Sequence, residues 1–181
     1  CKEITAEDVD LLENHKFEEI RTLFWRNSNL NFNNSSSLIK SLDEKPHMEW
    51  LRKIHECEDE KALKYFLKDT NFINLKFNEK TLSLLWECCQ IPDFVKKTYG
   101  NHYEVIGSVF KFLNSDKRVI SNDYMRLQLM KLDKLEGNVD SLSNRIANVR
   151  TWSYVSNKNN WVENQNYWIE KTKHLEDRLS D

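Results

Sequence analysis

Glycine and proline are scarce in this chain, and this scarcity limits the folds open to it more than any other feature. Only three Gly and two Pro occur among 181 residues. Because β-sandwiches and β-barrels need many tight turns, which draw on these two residues, an all-β fold is disfavoured. Hydrophobic residues make up 39% of the chain, enough to form a core. The sequence therefore predicts an all-α fold, a helical bundle.

Apolar residues recur at helical spacing along most of the chain, between residues that commonly cap or end helices. Asn78 and Ser121 are expected as N-caps, and Pro92 and Gly137 as stops. The predicted helices are Thr5 to about His15 with a capping box at Thr5 and Asp8, Asn78 to Pro92, one opening at Asn101, Ser121 to Glu136, about Val139 to Asn157, and about Trp161 to the end. Between Met48 and Thr70 charged and apolar residues alternate, and a helical stripe is formed by Ala62, Leu63, Phe66 and Leu67.

Two segments do not fit a helix. Residues 20–25 are rich in β-branched and aromatic side chains, which predicts one short strand or an extended docking segment. Residues 27–37 are nearly all Asn and Ser and predict a loop. We therefore divide the chain into a connecting segment, 1–77, with short helices, and a C-terminal helical bundle, 78–181. Both ends resemble cuts within a longer protein.

The sequence predicts no catalytic centre, metal site or cofactor site. It contains no G-x-x-x-x-G-K-[ST], G-x-G-x-x-G or G-x-S-x-G motif, and its four Cys form no C-x-x-C pair. His47 and His55 are expected on the surface, and the acidic run 56–60 as the solvated start of a helix. No apolar run approaches the roughly 18 residues of a membrane span, so no membrane contact is expected.

The stretch from residue 138 to residue 161 carries most of the functional information. Its apolar positions recur at three and four and share one helical face: Val139, Leu142, Ile146, Val149 and Trp152. Arg145 falls inside this apolar arc and Arg150 lies at its edge. A guanidinium in such a place needs a carboxylate, carbonyl groups or a phosphate as its partner.

Two interpretations of these arginines follow. In the first, they stabilise the fold through an ion pair or a clamp onto carbonyl groups. In the second, they bind RNA phosphates, with Trp152 or Trp161 as a stacking surface. The net charge of −2 gives no general attraction for nucleic acid, so binding would depend on a local patch. The candidate nucleic-acid contacts are Arg145, Arg150, Trp152 and Lys158.

Several blocks of the sequence resemble the region after the second RecA-like domain in one family of superfamily 2 RNA helicases. The family comprises the mitochondrial degradosome helicase and its alphaproteobacterial relatives, and the bacterial branch is the more similar. The resembling blocks are L-S-x-R-I-A-x-V-R-T-W at 142–152 with Asn157, Lys158 and Trp161, L-W-E-x-C-Q-I-P-D-F at 85–94, L-E-x-H-x-F at 12–17 with L-x-W-R-N at 23–27, and L-E-D-R-L-S-D at 175–181.

The resemblance implies a parent enzyme that hydrolyses ATP with Mg²⁺ and translocates on RNA, with its ATPase motifs upstream of this chain. The chain itself would be a non-catalytic accessory domain that packs on the RecA-like motor domains and guides single-stranded RNA, or DNA. An exoribonuclease is a further implied partner. The implied location is the cytoplasm of a bacterium or the mitochondrial matrix. The alternative is a stand-alone helical module that binds RNA or protein without helicase activity.

Overall fold

A computed structural model describes residues 6–14, 23–73, 75–96 and 99–181. Within these ranges the chain is mostly helical, with nine helices and two three-residue strands. The elements in order are α1 (Ala6–Glu13), β1 (Leu23–Trp25), α2 (Ser35–Leu42), β2 (Leu51–Lys53), α3 (Glu58–Lys68), α4 (Thr70–Ile73), α5 (Glu79–Cys89), α6 (Tyr99–Leu113), α7 (Asn122–Leu132), α8 (Val139–Asn157) and α9 (Gln165–Ser180).

The predicted fold class is confirmed: the chain is a largely helical protein with one short strand region. The backbone separates into two compact units, one ending at Ser83 and the other beginning at Leu84. The interpretation of 1–77 as a connecting segment and 78–181 as the bundle stays a prediction. Helix α1 is present where it was expected, but its predicted capping residue Thr5 and the end at His15 lie outside the described residues.

The predicted strand is present, and it has a partner that the sequence did not reveal. Strand β1 pairs in parallel with β2, and Leu23 lies opposite Leu51. The first part of the predicted strand, 20–22, lies outside the described residues. The predicted helical stripe of Ala62, Leu63, Phe66 and Leu67 is confirmed, because all four residues lie in α3, which begins at Glu58. The pairing of Leu51–Lys53 with β1 was not predicted.

The Asn/Ser-rich segment is a loop only in its first part. The side chain of Asn34 accepts a hydrogen bond from the backbone N–H of Ser37 at 2.8 Å, which is an N-cap contact. Helix α2 therefore begins at Ser35 and buries Leu38 and Leu42. The predicted loop over 27–37 was too long because polar composition alone does not distinguish a loop from a capped helix start.

The acidic run 56–60 starts a helix, as predicted, because Glu58, Asp59 and Glu60 form the first turn of α3, but it is not fully solvated. The side chain of Glu60 is only 3% exposed and lies 3.7 Å from Nη1 of Arg26. The same Nη1 donates to both carboxylate oxygens of Asp59, at 2.8 and 3.0 Å. A buried carboxylate needs a compensating charge, and Arg26 supplies it. The surface positions predicted for His47 and His55 are confirmed.

The second unit contains the longest helices, and three of its boundaries differ from the prediction. Helix α6 begins at Tyr99, two residues before the predicted opening at Asn101. Helix α7 begins after Ser121, as predicted, and the Ser121 hydroxyl accepts from the N–H of Tyr124 at 3.2 Å. It ends at Leu132 rather than at Glu136. An arginine of α8 holds the residues that follow, as described below.

The connection between α8 and α9 is longer than the sequence suggested. Helix α9 begins at Gln165, whereas the prediction placed its start at about Trp161. Trp161 is buried, and its carbonyl accepts a hydrogen bond from the N–H of Ile120 at 2.8 Å. This backbone contact ties the α8–α9 connection to the segment just before α7, and so it keeps Trp161 out of the helix.

Candidate nucleic-acid interface

Helix α8 carries three of the four candidate contacts, and the fourth, Lys158, is its C-cap residue. The helix forms over Val139–Asn157, as the sequence predicted. Its start is fixed locally, because the side chain of Asn138 accepts from the N–H of Ser141 at 2.9 Å and Asp140 lies in the first turn. Three candidate residues therefore lie on one helix with a capped start, and Lys158 follows at its end.

The apolar face of α8 is buried only in its C-terminal half. Val149, Trp152 and Val155 are buried, whereas Val139 at the opposite end is 79% exposed. Thr151 and Ser156 are also buried, and each hydroxyl donates to the carbonyl four residues earlier. The predicted stripe therefore describes the packing of the C-terminal turns and fails for Val139.

Arg145 holds the loop that precedes its own helix. Its Nη1 donates to the carbonyl oxygens of Lys134 and Glu136, both at 2.6 Å. These carbonyls belong to the segment where α7 was expected to continue. Gly137 lies in the same loop with φ of +135°, and a methyl group there would collide with the hydroxyl of Ser141. The arginine thus makes the carbonyl clamp of the first interpretation.

Arg150 makes the ion pair of that same interpretation. Its Nε lies 2.8 Å from Oε1 of Glu176 and joins α8 to α9. The Arg150 side chain is 54% exposed, so much of the guanidinium still faces solvent. An exposed pair of this kind contributes about 0–1 kcal/mol, so it fixes orientation more than it stabilises the fold. Contact between Arg150 and a nucleic acid remains a prediction.

The two tryptophans named as stacking surfaces are both in the core. Trp152 is buried and packs edge-to-face against Tyr124, with ring centroids 5.8 Å apart. Trp161 is buried in the α8–α9 connection. In this conformation neither ring offers a free face to a nucleobase, so their visible role is packing.

Lys158 lies beside two aromatic rings at the C-terminal end of α8. Its Nζ is 5.4 Å from the ring centroid of Tyr154 and 5.7 Å from that of Trp161. Both distances are in the range of cation–π contacts. The lysine carries a positive charge next to the half-buried ring of Tyr154. Proteins that bind single-stranded nucleic acids use this combination of a cation and an aromatic ring.

The helix separates these residues into two places. Arg145 and Arg150 are five residues apart, which is about 140° around the helix axis, so they do not form one patch. Arg150 and Lys158 are eight residues apart, which is roughly 12 Å along the axis and about 80° around it. Arg150 and Lys158 therefore lie on neighbouring sides of α8, whereas Arg145 contacts the loop that precedes the helix.

A second surface of the same unit was not found from the sequence. Tyr167, Lys171, His174 and Arg178 line one side of a groove between α7 and α9. Their spacing of four, three and four places them on one face of α9. The helical spacing of these residues is present in the sequence. It does not stand out as an apolar stripe, because three of the four side chains are polar or charged.

Known proteins give no further guide to this surface. Comparison of the chain with protein-family models, curated proteins and solved structures finds no match. Within the described residues no group of three or more His, Cys, Asp or Glu side chains could hold a metal ion. None of the helices in the described ranges is long and apolar enough to cross a membrane.

Proposed function

We propose that this chain is the non-catalytic C-terminal accessory part of an ATP-dependent RNA helicase, which packs on the motor domains and helps to guide the nucleic-acid strand. The parent enzyme would bind ATP and Mg²⁺ through residues outside this chain. A rigid helical wall beside the strand would keep it in the channel while ATP-driven closure moves it. The chain would be a positioning element and not a source of chemistry.

The supporting observation is the Arg150–Glu176 ion pair. Arg150 belongs to the resembling block 142–152 and Glu176 to the resembling block 175–181, which are separate in sequence. They meet at 2.8 Å, and α8 and α9 make the most extensive contact between any two described elements. Two blocks that resemble the same helicase region therefore form one packed hairpin, as parts of a single accessory domain should.

The first experiment measures ATP hydrolysis by the purified chain. The sequence has no phosphate-binding loop, so we expect no turnover above the buffer blank, with or without single-stranded RNA. Measurable, RNA-stimulated turnover would contradict the proposal. The proposal also predicts a phosphate-binding loop and an acidic helicase box upstream in the same reading frame, and an upstream sequence without them would rule out this parent.

The alternative, a module that binds RNA by itself, is favoured by one observation: Arg150 and Lys158 are cationic and partly exposed on neighbouring sides of α8. Fluorescence anisotropy with a labelled single-stranded RNA, at about 50 and about 200 mM salt, separates the two functions. Tight, salt-sensitive binding by the isolated chain favours the module. Weak binding favours the accessory part, which relies on the motor for its grip.

Glu176→Gln is the matched variant for Arg150→Ala in this titration. Both remove the ion pair, but only Arg150→Ala removes the cation. If Arg150 contacts a phosphate, Arg150→Ala weakens RNA binding while Glu176→Gln leaves it unchanged or strengthens it, because a nearby negative charge is lost. If both variants leave RNA affinity unchanged, Arg150 has no role in RNA binding.

A further inference from the structure

A groove between α7 and α9 is an apolar surface that the proposed function does not use. It has a volume of about 290 Å³, and two contacts join the helices that form it. At one end, Nε1 of Trp168 donates to Oδ1 of Asn122 at 2.9 Å. At the other, Nη1 of Arg178 lies 3.1 Å from Oδ1 of Asp133. These contacts hold the two helices side by side in the same direction.

The groove has an apolar interior that is open to solvent. Leu129, Trp168 and Leu175 are buried along its floor, while Met130 is 64% exposed and Tyr167 is 55% exposed at its edges. A flexible methionine at the rim of a hydrophobic groove adapts to different apolar side chains. Exposed Met and Tyr over a Leu and Trp floor therefore suit a partner that inserts aliphatic or aromatic anchors.

The rim of the groove is positively charged, although the whole chain is slightly acidic. The lining residues include four basic side chains but only one carboxylate. They are Arg126, Lys171, His174 and Arg178, and the carboxylate is Asp133. Arg126 pairs with Asp123, and Arg178 pairs with Asp133. Lys171 and His174 make no ion pair within the described residues. The groove thus lacks negative partners for the middle of α9.

The length of the groove fits a short helix. Helix α7 forms one side with 11 residues, which corresponds to about 16 Å or three turns. A partner helix of three to four turns would place apolar anchors at i, i+3 or i+4, and i+7 along this distance. Carboxylates on the flanks of such a helix would lie near Lys171 and His174.

We propose that the α7–α9 groove is a docking site for an acidic amphipathic helix of a partner protein. RNA fits the groove less well, because its floor of Leu129, Trp168 and Leu175 is buried and apolar, and only Tyr167 and His174 present exposed rings among the lining residues. A second copy of the chain fits less well because the patch would bring like-charged rims together. The docking site would operate equally in a helicase accessory domain and in a stand-alone module.

The test uses a synthetic, fluorescein-labelled helical peptide with leucine at the a and d heptad positions and glutamate elsewhere. We expect saturable binding to the full 181-residue chain with a Kd on the order of 10 μM. A peptide with lysine in place of glutamate should bind at least about tenfold more weakly, because its charge matches that of the rim. No saturable binding of the acidic peptide, or equal binding of both peptides, would overturn the proposal.

Two matched pairs of variants locate the binding surface. Lys171→Glu and Lys173→Glu make the same charge change on α9, but only Lys171 lines the groove. Met130→Glu and Val139→Glu both place a charge at an exposed apolar position, and only Met130 lines the groove. We expect about tenfold weaker peptide binding for the groove member of each pair and little change for its control. Equal losses within a pair would refute the assigned site.

Two further measurements address the other occupants. If single-stranded RNA binds and displaces the acidic peptide, and Lys171→Glu abolishes RNA binding, the groove is a nucleic-acid site and the proposal fails. If sedimentation shows a dimer that Met130→Glu disrupts, a second copy covers the groove and the proposal also fails. Thermal melts followed by circular dichroism confirm that each variant is folded at the assay temperature.

Discussion

Each unit contains an ion pair between an arginine and a carboxylate, and the two pairs differ in their exposure to solvent. In the first unit, Arg26 is 27% exposed and faces Asp59 and the buried Glu60. In the second, Arg150 is 54% exposed and faces Glu176 alone. The shortest N–O distance is 2.8 Å in both. Equal distances therefore conceal different energies, because the cost of separating the charges depends on how much water reaches them.

The comparison also shows which of the two arginines is more accessible to a ligand. Burial opposes the charge of Arg26, but its hydrogen bond and attraction to Asp59 more than offset this, and the pKa of Arg26 is raised. The guanidinium is therefore committed to its carboxylates. Arg150 is more accessible to a ligand, and for this reason it is the better candidate for a binding role although its stabilising role is smaller.

The largest effect is expected for Arg26→Ala. Removing the guanidinium leaves the buried Glu60 and the half-buried Asp59 without their ion-pair partner, which should lower the free energy of unfolding by about 2–4 kcal/mol. Urea denaturation measures this. Arg52→Ala, at an exposed position in β2, is the control and should stay within about 0.5 kcal/mol of the parent chain. Similar losses of stability for Arg26→Ala and Arg52→Ala would show that the burial of an arginine does not determine its contribution to the fold.

An intermediate effect is expected for Arg145→Ala, the arginine of the second unit that binds carbonyls. It loses two hydrogen bonds from a charged donor at a half-buried site, which should cost about 1–2 kcal/mol. Arg145→Lys keeps the charge but not the planar fork, and should lose less. Urea denaturation measures both variants, and RNA anisotropy should remain unchanged if the role of Arg145 is structural. A loss of RNA affinity at full stability would contradict this.

A pH-dependent effect is expected for Glu60→Gln. Burial, the largest cause, raises the pKa of Glu60, while the N–H of Cys57 and Arg26 lower it. The folded state therefore binds a proton more tightly than the unfolded state, so ionisation of Glu60 reduces stability as the pH rises above 4.5 towards the raised pKa. Glu60→Gln should remove this loss and gain up to about 1 kcal/mol at pH 7.

The measurement for Glu60→Gln is urea denaturation at several pH values between about 4 and about 7. Glu58→Gln, at an exposed position in the same first turn, is the control and should leave the pH dependence intact. A Glu60→Gln variant that is less stable than the parent chain at pH 7 would show that attraction to Arg26 outweighs the burial of the carboxylate.

The smallest effect is expected for Arg150→Ala, at about 0–1 kcal/mol, since water screens the pair. A double-mutant cycle with Glu176→Ala should give a coupling energy below about 1 kcal/mol. The cycle is measured by urea denaturation at low and high salt. A coupling as large as the loss at Arg26 would show that the exposed pair is as important to the fold as the buried one.

The sequence predicted helix boundaries correctly where residues of the helix itself and its caps determine them. Helix α8 forms over the predicted residues because Asn138 caps it and Asn157 precedes an extended Lys158. Helix α7 ends at Leu132, and Arg145, eleven residues beyond Lys134, holds the chain that follows by donating to the carbonyls of Lys134 and Glu136. No periodicity of α7 itself contains that information, since the donor comes from the next helix.

Pairings between distant residues were the part that the sequence did not reveal. Strand β2 exists because Leu51 lies opposite Leu23, 28 positions earlier. Of the candidate interface, the arginines were found because a charge inside an apolar stripe is a local anomaly. The groove was missed because its second wall, on α7, becomes visible only once the helices are packed.

The backbone contact between Ile120 and Trp161 has a consequence for measuring local opening. The Ile120 amide is buried and donates to a carbonyl that lies 41 positions further along the chain. Its hydrogen can exchange with solvent only when the α8–α9 connection moves away. Deuterium uptake at this one amide therefore reports how often the C-terminal hairpin detaches from the segment before α7, without any label attached to the protein.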